Sequence, residues 1–204
     1  MTRKHTEVEI KFLVADPAAL ERQLLDLGFR QTTAPTFEHN TLYDTPLGTL
    51  RGKREVLRIR LYGERWTVTH KSKGSNGRHK SRIEHETALT DGERMDSILR
   101  ALGYQPAFVY EKFRSQWTDS RGEVVVDRTP IGNLAEIEGS PRWIDQTARK
   151  LGIRPDQYIT GSYVELFLAW KRRTRSSALN MTFRECGTRK PRLSRQATGK
   201  CHSS

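Results

Sequence analysis

The stretch Glu7-Val8-Glu9-Ile10-Lys11-Phe12 alternates charged and apolar residues without a break. Successive side chains of a β-strand point to opposite faces. The stretch therefore reads as a strand with an apolar face (Val8, Ile10, Phe12) and an ionic face (Glu7, Glu9, Lys11). The same period recurs downstream. Leu57-Arg58-Ile59-Arg60-Leu61 repeats it, and Trp66, Val68 and His70 alternate with Thr67, Thr69 and Lys71. Arg82-Ile83-Glu84-His85-Glu86, Glu111-Lys112-Phe113-Arg114 and Ala135-Glu136-Ile137-Glu138 continue it, and Val124-Val125-Val126-Asp127 is a short apolar run ending in an acid. These segments are expected as half-buried antiparallel strands.

Between them the helix signals are clear. Asp16-Pro17 opens a segment running to Leu27, with Gly28 as its stop. Thr90 and Glu93 are spaced as a capping box before a run to Leu102 and Gly103. Ser140-Pro141 precedes Trp143–Leu151 and Gly152, and Ser162 with Glu165 is a further capping box leading to Trp170. Roughly eight strands with a few helices make an α+β protein. A strand with two acids, then a helix ending Leu-Gly-aromatic, occurs twice: Glu7/Glu9 before Leu27-Gly28-Phe29, and Glu84/Glu86 before Leu102-Gly103-Tyr104. This echo points to two related halves of one sheet or barrel.

The 204 residues carry 36 Lys+Arg against 24 Asp+Glu, a net charge of +12 that first suggests a polyanionic partner. Most of the excess is local. Residues 171–204 hold ten bases against the single acid Glu185, which leaves the body only three bases in excess. That segment lacks hydrophobic periodicity and is expected to be a disordered tail outside a domain spanning 1–170. It is the one place where nucleic acid would bind; a solvated extension is the plainer account. Both cysteines, Cys186 and Cys201, fall in it, so neither a disulfide scaffold nor a cysteine-based zinc site is expected. No apolar run approaches the ~20 residues of a membrane span. No apolar segment follows Met1-Thr2-Arg3-Lys4-His5, so a cytoplasmic protein without membrane partners is expected.

The unusual feature is the polar face of the strands. Glu7/Glu9, Glu84/Glu86 and Glu136/Glu138 are acids two apart, and Arg58/Arg60, Lys71/Lys73 and Lys112/Arg114 are bases two apart. Each pair sets like charges side by side on one face, which is unfavourable without counter-charge. Two arrangements supply it. Either the face is solvated and neighbouring strands pair acid with base, or the sheet closes and turns the face inward. In the second case the bases would clamp a multiply charged anion and the acids would hold Mg²⁺ or Mn²⁺, the combination that a polyphosphate requires. Other signatures fail. Gly48–Lys53 is one residue short of a phosphate-binding loop, and the six histidines form no ligand pair on a helix.

Glu7-Val8-Glu9-Ile10-Lys11 resembles the Glu-x-Glu-x-Lys signature of the CYTH family, the triphosphate tunnel metalloenzymes. Further segments resemble that family in order. They are Asn40–Thr45 with Tyr43-Asp44-Thr45, Leu57–Arg60, Thr69-His70-Lys71, Arg82–Glu86, Glu111–Arg114, Val126-Asp127 with Ala135–Glu138, and Ser162-Tyr163. The resemblance implies an eight-stranded antiparallel β-barrel with helices packed outside and the charged face inward. It implies a triphosphate clamp of Lys11, Arg58, Arg60, Lys71, Lys112 and Arg114, with the role of Lys73 open. It implies metal-site acids Glu7, Glu9, Glu136 and Glu138, supported by Asp127 and Glu86, with Mg²⁺ or Mn²⁺ as cofactor.

Lys71 and Tyr43 are the catalytic candidates, Tyr43 either orienting a water or merely packing at the rim. The family includes class IV adenylyl cyclases, thiamine triphosphatases and inorganic triphosphatases, so ATP, thiamine triphosphate and inorganic triphosphate are the implied substrates. The cyclase, in which the ribose 3′-OH attacks the α-phosphorus, and the triphosphatase, in which water attacks the terminal phosphorus, stand level. A non-catalytic polyphosphate binder is the remote third. A homodimer is compatible with either enzyme.

Overall fold

The structure is a computed structural model that describes residues 5–191. Its strands are β1 (His5–Leu13), β2 (Arg30–Asp44), β3 (Val56–Tyr62), β4 (Arg65–Lys71), β5 (Ser75–Asn76), β6 (Lys80–Leu89), β7 (Gln105–Thr118), β8 (Glu123–Thr129) and β9 (Gly132–Glu138). Interleaved with them are helices α1 (Pro17–Asp26), α2 (Thr49–Lys53), α3 (Gly92–Ala101), α4 (Pro141–Lys150) and α5 (Tyr163–Thr174). Eight strands run in the order β1-β9-β8-β7-β2-β3-β4-β6, all antiparallel, and β6 pairs back onto β1 to close a barrel. The two-residue β5 only extends one edge of β6. No described helix is long and apolar enough to cross a membrane.

Closure turns the ionic faces of the strands inside, where Leu42, Phe108, Tyr110 and Leu134 continue them as an apolar patch under α5. The apolar faces therefore point outward and need cover. Helices α1 and α4 cover Ile10, Phe12, Val124, Val126, Ala135 and Ile137 of β1, β8 and β9. Helix α3 covers Ile59, Leu57 and Val68 of β3 and β4. The start of α5 packs Tyr163 and Phe167 on Phe108, Tyr110 and Leu134. The two Leu-Gly-aromatic helix ends share one geometry: Gly28 and Gly103 take φ 83° and 89°, and the N–H of Phe29 and Tyr104 reach back to Leu24 O and Leu99 O at 2.9 Å.

Two expectations are corrected. Helix α3 is capped by Asp91, whose carboxylate accepts the Arg94 N–H at 2.8 Å, and not by Thr90. The shift sets Gly92 against the Trp66 indole, where any Cβ would lie 2.2 Å from a ring carbon. The second correction concerns the tail. Helix α5 continues through Thr174, and the following chain docks as a strap on β7. Met181 N–H donates to Val109 O and Glu111 N–H donates to Met181 O, both at 3.0 Å. Ala178, Met181 and Phe183 are buried, and Phe183 stands on Phe113. Glu185 serves as a turn-former, accepting the N–H of Leu179 and Asn180 and the Asn180 amide. Three buried apolar side chains anchor the strap, too few and too irregular to show a period. Cys186 is half-buried, its thiol pushed up to about 11 by burial and by Glu185 and Glu111. Arg192, Arg195, Lys200 and Cys201 lie outside the described residues.

The docked strap makes a stability prediction. Met181→Ala is expected to cost about 2–5 kcal/mol, a lowered Tm in thermal unfolding, because a fully buried side chain leaves a cavity. Leu179→Ala, at a side chain 75% exposed, should cost less than about 0.5 kcal/mol. Equal Tm values for the two variants would mean that the strap is not docked.

Candidate active site

The barrel encloses a cavity of about 1440 Å³ into which the clamp residues project from four strands: Lys11 of β1, Arg58 and Arg60 of β3, Lys71 of β4, Lys112 and Arg114 of β7. Each base is already held by acids. Lys11 Nζ lies 2.6 Å from Glu9 Oε1 and 3.2 Å from Glu136 Oε1. Lys71 Nζ sits between Glu7 Oε2 at 2.7 Å and Glu84 Oε2 at 2.8 Å. Arg114 reaches Asp127 at 2.6 Å and Glu136 at 2.8 Å. Arg60 grips Glu86 at 2.9 Å, and Arg58 touches Glu86, Thr69 and the Tyr110 hydroxyl at 3.2–3.4 Å. Lys112, 1% exposed, meets Asp127 at 3.1 Å and lies 4.6 Å above the Tyr163 ring. Burying so many charges gains little stability over a packed apolar core. A network of this size reads as machinery kept for a ligand.

The acids divide into two groups. Asp127, Glu136 and Glu86 are committed to bases, with Asp127 fully buried against Lys112, Arg114 and the Tyr163 hydroxyl. Asp127 and Glu86, expected as supporters of the metal site, are held at rest by Lys112, Arg114, Arg58 and Arg60. Glu7, Glu9 and Glu138 form an acidic end. Glu7 and Glu9 share a face of β1, and Glu138 is the direct cross-strand partner of Glu9. Glu138 has no ion pair among the described residues, and burial together with Glu7, Glu9 and Glu136 pushes its carboxyl up to about 8. Burial likewise raises Glu7, opposed by Lys71 and helped by Glu9 and Glu84. Burial also works against Glu9, yet Lys11, Lys80 and Lys71 outweigh it and hold Glu9 at about 2.

Among the described residues no three acidic, histidine or cysteine side chains converge into a ready-made cage. The chemistry of the donors still fits a hard divalent cation: three carboxyl groups at one end of the cavity, one of them, Glu138, kept from ionising by its acidic neighbours until a cation offsets them.

Tyr43 borders the cavity through part of its side chain. It shares the outer face of the barrel with Leu57 and Ile59, and its hydroxyl donates to Asp96 Oδ1 of α3 at 2.5 Å. Lys73 is exposed in the loop after β4. Conversely, sequence reasoning missed several residues. Lys80 lines the cavity with its Nζ 3.1 Å from Glu9 Oε1, and burial and Lys11 pull it down to about 8. Arg82 and Glu84 line it too, and Glu38 and Asn40 lie fully buried in the wall. Lys80-Ser81-Arg82-Ile83-Glu84-His85-Glu86 puts four charges on one strand face, and Glu38 and Asn40 share a face two residues apart before Tyr43. Extending the period of two by one step at each strand start would have found them.

The sequence matches the family model of the CYTH domain over residues 5–163. A protein of Methanocaldococcus jannaschii named putative adenylate cyclase is 28% identical over 171 residues, covering 78% of this chain and 97% of that one. Among solved structures, a putative adenylate cyclase of Vibrio parahaemolyticus superposes with a TM-score of 0.73 at 19% identity, over 81% of this chain and 99% of its own. A Hippeastrum protein described as a putative adenylyl cyclase with a dominant triphosphatase activity superposes at 0.59 and 19% identity, over 80% and 95% of the two chains. At that identity the two structures speak for the fold. The family match begins with the first strand and ends on the first residue of α5, taking in every strand of the barrel, and the chain therefore belongs to the CYTH family.

Proposed function

We propose that the protein is a metal-dependent enzyme that turns over an organic triphosphate held inside the barrel. The observation that carries this is the division of one cavity into a basic clamp and an end where three carboxyl groups, Glu7, Glu9 and Glu138, gather, the last with no base beside it among the described residues. A simple anion binder gains nothing from carboxylates facing its ligand. Lys11, Arg58, Arg60, Lys112 and Arg114 take the phosphate oxygens, exchanging them for the carboxylates that hold these bases at rest. Lys71, between Glu7 and Glu84, stands where clamp and acidic end meet and neutralises charge on the phosphoryl group being attacked. Glu7, Glu9 and Glu138 are the residues that would hold Mg²⁺ or Mn²⁺, which when bound offsets charge on the phosphate oxygens.

The organic part follows from an apolar lip. Leu42, Phe108, Phe167, Leu168 and Leu179 line the same cavity, with Leu168 and Leu179 45% and 75% exposed. An inorganic triphosphate has no use for such a surface, and a nucleobase does. ATP is accordingly the first substrate to test. The relatives' names support both cyclisation and hydrolysis of it. The two outcomes share the clamp and differ only in the nucleophile.

Three results are expected. Purified protein with Mg²⁺ or Mn²⁺ converts ATP, and chromatography of the products shows either cyclic AMP with pyrophosphate or released orthophosphate. Tight triphosphate binding without turnover would sink the enzyme assignment. Glu7→Gln should lower kcat by at least about 100-fold with circular dichroism unchanged, since one carboxylate ligand is lost while the fold keeps its shape. A wild-type rate would contradict the metal assignment. Tyr43→Phe should keep kcat within about threefold and lose about 1 kcal/mol of stability with the Asp96 hydrogen bond. A large fall in kcat would return Tyr43 to the reaction.

A further inference from the structure

Glu38 of β2 is the acid of the clamp region whose ion pairs are all long, 3.5 Å to Lys112 and 3.9 Å to Arg114. Its side chain is fully buried and does not line the cavity, yet four bases that do line it, Lys112, Arg114, Arg58 and Arg60, surround it. Lys112 Nζ is 3.5 Å from Oε1 and Arg114 Nε is 3.9 Å from Oε2, and the hydrogen bonds of these bases go to Asp127 and, for Arg114, also to Glu136. The sole hydrogen bond to Glu38 comes from the Asn40 amide at 2.9 Å, and Oε2 has no donor among the described residues. Burial opposes its charge, but the four bases hold the carboxyl at about 2, so it is ionised at any working pH.

A glutamine of the same shape would keep the packing of this side chain and remove only its charge. Asp127, by contrast, grips Lys112 and Arg114 directly and would take their geometry with it if removed. The effect of Glu38 on these bases is therefore almost purely one of field.

Resting on the triphosphate assignment above, we propose that Glu38 is a positioning residue that limits affinity. Its negative charge, set behind the clamp, weakens the grip on polyphosphate anions so that a charged product can leave. A clamp with no such counterweight would bind its anion tightly and release it slowly.

The test is a charge series in the full chain, read by calorimetric titration with inorganic triphosphate and with pyrophosphate. Glu38→Gln should tighten Kd for both by about tenfold and steepen its salt dependence, because one opposing charge is gone. Glu38→Asp, which keeps the charge, should stay within about threefold of wild type, and Asn40→Asp, which adds a second charge at the same place, should weaken binding by about tenfold. A merely structural Glu38 would give the opposite sign, with binding weakened in Glu38→Gln. Weakened or unchanged binding in that variant overturns the proposal. Where Glu38→Gln does not fold, Asn40→Asp decides alone, and binding that is not weakened overturns it. No binding of triphosphate by the wild type would instead overturn the functional assignment and is distinguishable from both.

Discussion

The fold depends on mutual neutralisation of charge inside a closed barrel. Lys11 lies between Glu9 and Glu136, Arg114 between Asp127 and Glu136, and Lys71 between Glu7 and Glu84. Each of these groups alone would be too costly to bury, and each becomes tolerable only when strands distant in sequence bring its partners. Placing the ionic faces inside forces the apolar faces out. The helices are then obligatory, because α1, α4 and α3 are what remove Ile10, Val126, Ile137 and Ile59 from water, while the start of α5 packs on the inward-facing Phe108 and Tyr110. The hydrophobic core of this protein thus lies between barrel and helices, and the barrel interior is left to chemistry.

That interior is uneven, and the unevenness carries the functional meaning. The bases are matched by Asp127, Glu136, Glu86 and Glu84, all within reach of a lysine or arginine. Glu138 has no base beside it among the described residues, and crowding with Glu7, Glu9 and Glu136 keeps its carboxyl from ionising readily. An incoming polyphosphate can trade places with the first set, while a divalent cation answers the second. The strap after α5 adds a third region. It lies beyond the span of the family match and brings Leu179 to the cavity beside Leu168 and Phe167, an apolar surface next to the phosphate-binding bases.

Much of this was legible in the sequence. The period of two named the strands and their inward residues, since strand geometry alone sets which side chains share a face. Like charges two apart announced that counter-charge must come from elsewhere, and Asp16, Ser162 with Glu165, Gly28 and Gly103 marked helix ends by purely local hydrogen bonding. These are determinants that act over a few residues, so a linear reading captures them.

The tertiary structure alone decided which acid meets which base. Asp127 serves Arg114 because β8 pairs with β7 in that register, and Glu86 serves Arg58 and Arg60 across β4. It turned Tyr43 outward to Asp96 of α3, an element more than fifty residues away in the chain. It folded the strap, whose three anchoring side chains, Ala178, Met181 and Phe183, show no period until β7 is there to receive them. And it left Glu38 behind the clamp with only long ion pairs to Lys112 and Arg114. All four outcomes depend on barrel closure and strand register, which are set by contacts between distant segments and have no signature in any single stretch of sequence.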